Sequence, residues 1–287
     1  MDISINLWDE IAGVAKQHLI AAGFTPTGAE TSDQLLIALW NWKKRLISPG
    51  KRTVHKASGF TCPPAYKAAL VNIEQMIANG QDLTPYLSKH INHLDFSDPM
   101  LNDWGVHHMH LGDFMEASGF IKRTNALLFA RFSETDAYFI GIFEHGNWAD
   151  QEIVEIIHGN WPKLIERYKA MNALRLTIVP TNEDIARLRK GNVNALLQLK
   201  DGTVYTPIGL GFATDGTAIE ISLKLVKLRG GINAVEKTIR EHASTNPLYA
   251  GQTSLEFHLE FQGDNAFAAE AATRVAYKLW DGATSPL

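Results

Sequence analysis

Cysteine is nearly absent: Cys62 stands alone among 287 residues. That excludes an internal disulfide framework and any zinc site built from several thiolates, and it suits a reducing compartment. No stretch approaches the roughly 18 uninterrupted apolar residues of a membrane span, so no membrane partner is expected. The N-terminal segment carries Asp2, Asp9, Glu10 and Lys16. It lacks the basic start of a secretory leader, which makes cytoplasmic the expected location. There is no surplus of positive charge either, with 27 Lys and Arg against 31 Asp and Glu. A globally basic nucleic-acid protein is therefore excluded, although a local basic patch is not. Three catalytic or nucleotide signatures are also missing: H-E-x-x-H, G-x-S-x-G, and a phosphate loop ending in Gly-Lys-Ser/Thr. Gly209-Leu210-Gly211, followed by Asp215-Gly216, fails the G-x-G-x-x-G spacing. No cofactor and no bound metal are expected.

What is present is ordinary globular material, 45% apolar and 20% charged, enough for a sizeable core. The texture divides the chain into a mostly helical region over 1–100, a small central antiparallel sheet with a packed helix over 101–172, and an α+β region over 173–287. In the first, 3/4 spacing predicts a helix from Ile3 to Ala22, stopped by Gly23. A second is capped by Ser32 or Asp33 and runs to about Ile47. A third follows Pro63-Pro64 and ends before Gly80, and a short fourth spans Leu83 to Ile91. The stretch 48–62 reads as irregular. The centre predicts strands at Val106–Leu111, Ala126–Phe132 and Ala137–Phe143, the last two joined as a hairpin. A helix follows to Ala170, with a break near 161 because of Pro162. At the back, a strand at Leu174–Val179 and a helix at Asn182–Lys190 precede a hairpin over 193–208 turned by Asp201-Gly202. Alternation argues for strands at Ala218–Leu225 and Leu255–Phe261, with a helix from Thr217 as the alternative for the former. A final helix is expected at Asn265–Trp280.

Eleven histidines stand out, four of them between 107 and 145. On a strand, His108 and His110 project from one face and His107 from the other. Two imidazoles on one face have three readings. They would bind a metal with a third ligand, act without metal as general acid and base, or hydrogen-bond locally. The next strands bring Lys122 and Arg123, then Arg131, then His145. A guanidinium suits bidentate contact with phosphate, and His145 is a candidate proton-transfer group. Further upstream, Lys43, Lys44, Arg45, Lys51, Arg52 and Lys56 stand within 42–56 without one acidic residue. That asymmetry is the footprint of a phosphate-backbone contact, of an acidic protein partner, or of a solvated face. Glu256, His258 and Glu260 share the polar face of a strand and read as a solvated stripe.

The order of residues over about 104–148 resembles the compact sheet of the RelE-type, barnase-like ribonuclease toxins: a strand with His, a basic loop, a strand ending in Arg, a strand ending in His-Gly, then a helix. The resemblance implies cleavage of RNA without metal through attack by the 2′-hydroxyl. It implies that Arg123 and Arg131 hold the scissile phosphate, that His145 is the acid or base, and that His108 or His110 supplies the complementary proton transfer. Members are usually far smaller than 287 residues, so the flanking regions would dock substrate or contact an antitoxin or other protein. Three functions follow from the residues. The first is a metal-independent endoribonuclease, acting as a toxin or phage-defence effector. The second is a metal-dependent hydrolase using the same histidines with Asp113 or Glu144. The third is a non-enzymatic component that binds nucleic acid or protein.

Overall fold

The computed structural model describes residues 1–170, 175–282 and 285–287. In chain order the elements are β1 (Asp2–Ile5), α1 (Leu7–Ala21), α2 (Ser32–Arg45), β2 (Thr53–Lys56), α3 (Lys67–Asn79), α4 (Pro99–Trp104), β3 (His107–His110), β4 (Ala126–Phe132), β5 (Asp136–Glu144), α5 (Glu152–Asn160), α6 (Pro162–Ile165), α7 (Asn182–Lys190), β6 (Leu197–Gln198), β7 (Val204–Tyr205), α8 (Ile219–Ala243), β8 (Ser254–Gln262), β9 (Asn265–Glu270) and β10 (Ala276–Trp280). Helices and separate sheets of mainly antiparallel strands make this an α+β protein. The chain forms two compact units, one of residues 41–220 and one joining 1–40 to 221–287. Neither division falls at the changes of texture near 100 and 172.

The unit of residues 41–220 is built on a sheet of order β2-β5-β4-β3. β2 runs parallel to β5, while β5, β4 and β3 are mutually antiparallel. Its register pairs His107 with Ala130, His108 with Phe129, Met109 with Leu128 and His110 with Leu127. Directly opposite residues share a face, so each face has its own core. On one, Met109, Leu128, Ala130 and Phe139 pack with Leu70, Ile73 and Ile77 of α3. On the other, Leu127, Phe129 and Ile140 pack with Ile153, Val154 and Ile157 of α5. The predicted strands and the predicted break before Pro162 are all present. The predicted helix at 83–91 is instead two 3-10 turns, Thr84–Tyr86 and Lys89–Asn92. Pro85 sits inside that span and cannot donate to a helical ladder. Of the strand predicted at 174–179, residue 174 lies outside the described residues and 175–179 form no strand.

Gly209 and Gly211, the pair that imitates a nucleotide motif, are packing residues. Gly209 donates its N–H to the Asp103 carbonyl at 2.7 Å, and Gly211 donates to that of Asn102 at 2.9 Å. A Cβ on Gly209 would lie 2.4 Å from the Gly105 nitrogen and 2.7 Å from the Asn102 carbonyl oxygen. Those atoms are backbone and cannot swing aside. Gly209→Ala is expected to cost at least about 2 kcal/mol, in the range of overpacked cores. A lowered urea midpoint checks it, and an unchanged midpoint would show that the corner is slack.

The unit made from both chain ends carries the sheet β1-β8-β9-β10. β1 is parallel to β8, from Asp2 opposite Ser254 to Ile5 opposite Phe257, and α1 packs on β8. The predicted first helix therefore begins at Leu7 rather than Ile3. Ile3 and Ile5 are recruited by a strand that no local window contains. Leu7, Ile11, Ala15 and Leu19 form the buried stripe of α1. The final helix predicted at 265–280 is overturned, because that span holds β9 and β10. Gln262 pairs with Asn265 across a turn at Gly263, whose φ is 62°, a value that favours glycine. Ala266, Ala268 and Ala269 have helical propensity, but they are buried against their neighbours in a sheet. The strand predicted at 218–225 is overturned too: its alternative holds, and from Ile219 the chain enters α8.

Candidate active site

Three segments of the 41–220 unit deliver imidazoles and a guanidinium to one place. The first begins at Asp98, whose side chain caps α4 by accepting from the Leu101 N–H at 3.0 Å. Pro99 opens that helix, and Gly105, with φ 67°, closes it and turns the chain into β3. β3 then sets His108 and His110 on the α5 face, as the period of 2 predicts. The second segment is Arg123-Thr124 at the approach to β4. The third leaves β5 at Glu144, where the His145 N–H donates to the Asn125 carbonyl at 2.7 Å and fixes the departure of the chain. Together they line a cleft of about 410 Å³ that includes His90, His108, His110, Arg123, His145 and Trp148. The Trp148 ring lies 4.6 Å from that of His108 and 5.0 Å from that of His145. The two imidazoles are thus within 10 Å of each other, and Arg123 Nη2 stands 3.4 Å from His145 Nε2.

The three histidines differ in environment. His110 is 3% exposed, and its Nδ1 accepts from the Thr124 N–H at 3.2 Å. Its remaining nitrogen, Nε2, therefore carries the proton of the neutral ring. Burial pushes its pKa down to about 4, with neighbouring charges acting in the same direction. At neutral pH His110 is a fixed, uncharged hydrogen-bond donor rather than an acid. His108 is also pushed down by burial, opposed by the Asp98 carboxylate, whose Oδ2 is 3.7 Å from His108 Nδ1. A substrate anion beside it would add to the pull of Asp98 toward the protonated form. His145 is exposed at the mouth. His107 faces the other side of the sheet with its ring edge on Phe132 at 5.6 Å. It too is pushed to about 4 by burial.

These depressed imidazoles give stability a pH dependence. The unfolded chain binds protons at the ordinary histidine pKa of about 6.5, whereas folded His107 and His110 bind them only near 4. Their contribution is complete above about pH 6.5 and is lost as pH falls toward 4. The slope is up to about 1.4 kcal/mol per pH unit for each group. Urea unfolding at pH 7 and pH 5 is expected to show markedly lower stability at pH 5, with part of the difference removed by His110→Gln. Equal stability at both values would contradict these environments.

Other predicted residues are placed elsewhere. Arg131 does not reach the cleft. Its Nη1 donates to the Trp104 carbonyl at 2.7 Å and its Nη2 to that of Ile208 at 3.0 Å. It is a tie between β4 and two chain turns, with no free edge for phosphate. Lys122 is exposed, its Nζ 5.2 Å from the Phe114 ring centre. The basic run 42–56 does not form a patch of free cations. Arg45 is 6% exposed and donates to the carbonyls of Asn41 and His90. Arg52 donates to those of Ser133, Ser48 and Gly50. Lys44 pairs with Glu220 at 2.5 Å and Lys56 with Glu74 at 2.8 Å. Lys43 is half-buried and Lys51 exposed. A run without acidic neighbours in sequence acquires its acidic partners from distant segments and its carbonyl partners from near and far. In the other unit, His258 lies 3.3 Å from both Glu10 and Glu256, an exposed ion-pair stripe as expected.

Asp98 and His90 were not singled out as site residues. For Asp98 the signal is Asp98-Pro99, a helix cap and first-turn proline, which places it just before the histidine strand, and for His90 it is the pair with His93, which lacks the glutamate of H-E-x-x-H. Among the described residues, no three His, Cys, Asp or Glu side chains group as a metal would require. No family model matches the chain, and neither a curated protein nor a solved structure does so.

Proposed function

We propose that this cleft cleaves RNA by metal-independent acid–base chemistry. The observation that carries the reading is the convergence of His108, His110, His145 and Arg123 from three chain segments on one cleft. Each has a distinct part to play. His145, exposed at the mouth, takes the proton from a 2′-hydroxyl as that oxygen attacks the adjacent phosphorus. Arg123 beside it and the Nε2–H of His110 hydrogen-bond the phosphorane oxygens as charge builds on them. His108, with Asp98 behind it, protonates the departing 5′ oxygen. The chain then ends in a 2′,3′-cyclic phosphate and a free 5′-hydroxyl. Arg131, which the toxin resemblance assigned to the phosphate, has no part in this scheme, and Arg123 alone supplies the guanidinium.

Total RNA incubated with the purified protein, with and without EDTA, tests the proposal. Cleavage that survives EDTA and leaves cyclic phosphate ends is expected. Cleavage abolished by EDTA would replace this scheme with a metal-dependent hydrolase. Intact RNA in both arms would leave a binding protein.

A further inference from the structure

The cleft is more than its imidazoles. Its lining is divided: His108, His110, Arg123 and His145 occupy one part, while Phe96, Pro99, Met100, Trp148 and Ala149 supply an apolar remainder. Phosphate chemistry needs only the first part. The second includes an aromatic column. The Phe96 ring lies beneath the Arg45 guanidinium at 5.6 Å and stacks with His90 at 4.6 Å and 13°. Phe96 is half-buried and His90 exposed, so the column is anchored at Arg45 and reaches the surface at its imidazole end, where the His93 ring lies 5.8 Å from that of His90 at 58°. Trp148 is held with its ring stacked on Phe129 at 5.6 Å and 9°. A volume of about 410 Å³ is within the range of small-ligand sites.

We propose that the apolar part is a nucleobase subsite, in which one unstacked base continues the Arg45–Phe96–His90 column while its phosphate meets the histidines and Arg123. This rests on the reading of the cleft as an RNA-cleaving site and adds the form of the substrate. A base must leave its helix to enter, so the substrate is single-stranded, and a base held in a duplex is excluded by the energy of its stack and pairs. Recognition by stacking is tolerant of sequence, since every base has a π-face.

Calorimetric titration of the full chain with the four nucleoside 5′-monophosphates and with ribose 5-phosphate tests the subsite without requiring turnover. Base–aromatic stacking contributes about 5- to 150-fold in affinity per base. The nucleotides are therefore expected to bind at least about fivefold more tightly than the sugar phosphate. His90→Ala, at an exposed position that spares the fold, is expected to reduce that advantage, and Phe96→Ala to remove it. Equal affinities for nucleotide and sugar phosphate, or no binding of either, would overturn the proposal. A cleavage assay on one RNA, alone and annealed to its complement, separates the two levels. Base-dependent binding without cleavage sinks the nuclease reading and keeps the subsite. Equal cleavage of the single strand and the duplex keeps the nuclease and sinks the subsite.

Discussion

Cleavage by His145→Ala is expected to fall by about 10² to 10⁴, the range for loss of one general acid or base, with the far-ultraviolet spectrum and urea midpoint unchanged. His145 is exposed, and its main-chain contact with Asn125 survives the substitution, so the fold has no reason to respond. His108→Ala is expected to lose a similar factor. Asp98→Asn, which keeps the cap but removes the charge, is expected to lose less and to move the acidic limb of the pH profile. Arg131→Met should behave in the opposite manner. It leaves the carbonyls of Trp104 and Ile208 without their donor, so it costs about 1–3 kcal/mol per buried acceptor left unpaired. The rate per folded molecule should stay within a fewfold. If Arg131→Met silences a fully folded protein while His145→Ala does not, the assignment of the cleft is wrong.

A second large effect belongs to Asp103. This carboxylate is 4% exposed and Arg189 is 6% exposed, with 2.7 Å between Oδ2 and Nε. Burial pushes the Asp103 pKa up, and the Arg189 guanidinium pulls against it. The same guanidinium lies 4.0 Å from the Trp104 ring centre and donates through Nη1 to the Trp148 carbonyl. Asp103→Ala would strand a positive charge away from water, an error that costs about 3–5 kcal/mol. It also frees α7 from α4 and loosens Trp148, against which the His108 and His145 rings rest, so the proposed cleavage should weaken together with stability. The double variant Asp103→Leu, Arg189→Met should recover most of the stability, because neither desolvated charge remains. Urea unfolding of the two variants decides the matter: a loss below about 1 kcal/mol in Asp103→Ala would mean that the pair is solvated.

What could be read in advance followed locality. The face shared by His108 and His110 follows from the period of a strand, and α7 keeps the predicted bounds Asn182–Lys190. β1 and β2 escaped notice because each is completed by a strand far along the chain. The Ala-rich span that became β9 misled for a related reason, since its helical propensity yields to cross-strand burial. The misplacement of Arg131 has a different source. In an antiparallel hairpin the end of one strand adjoins the start of the next, and Arg131 indeed pairs with Tyr138, near the beginning of β5. His145 leaves the far end of β5, six residues or about 20 Å away at the rise of a strand. Both residues sit at strand ends, but at opposite ends of the sheet. That much followed from the hairpin alone. The distant partners did not: His90 for Arg45, Ser133 for Arg52, Glu220 for Lys44 and Glu74 for Lys56 all come from other segments.

The pairing of β1 with β8 also sets an order of events during synthesis. About 250 residues separate Asp2 from its partner Ser254. At roughly 5–20 residues per second, Ile3 and Ile5 wait on the order of 12 to 50 s for the strand that covers them. Residues 41–220 are contiguous and emerge within that interval, so the histidine-lined cleft can mature while the first strand is still unpaired. Loss of β8 through premature termination would therefore leave a nascent product with its cleft assembled and its leading strand exposed, the kind of surface that chaperones and proteases recognise.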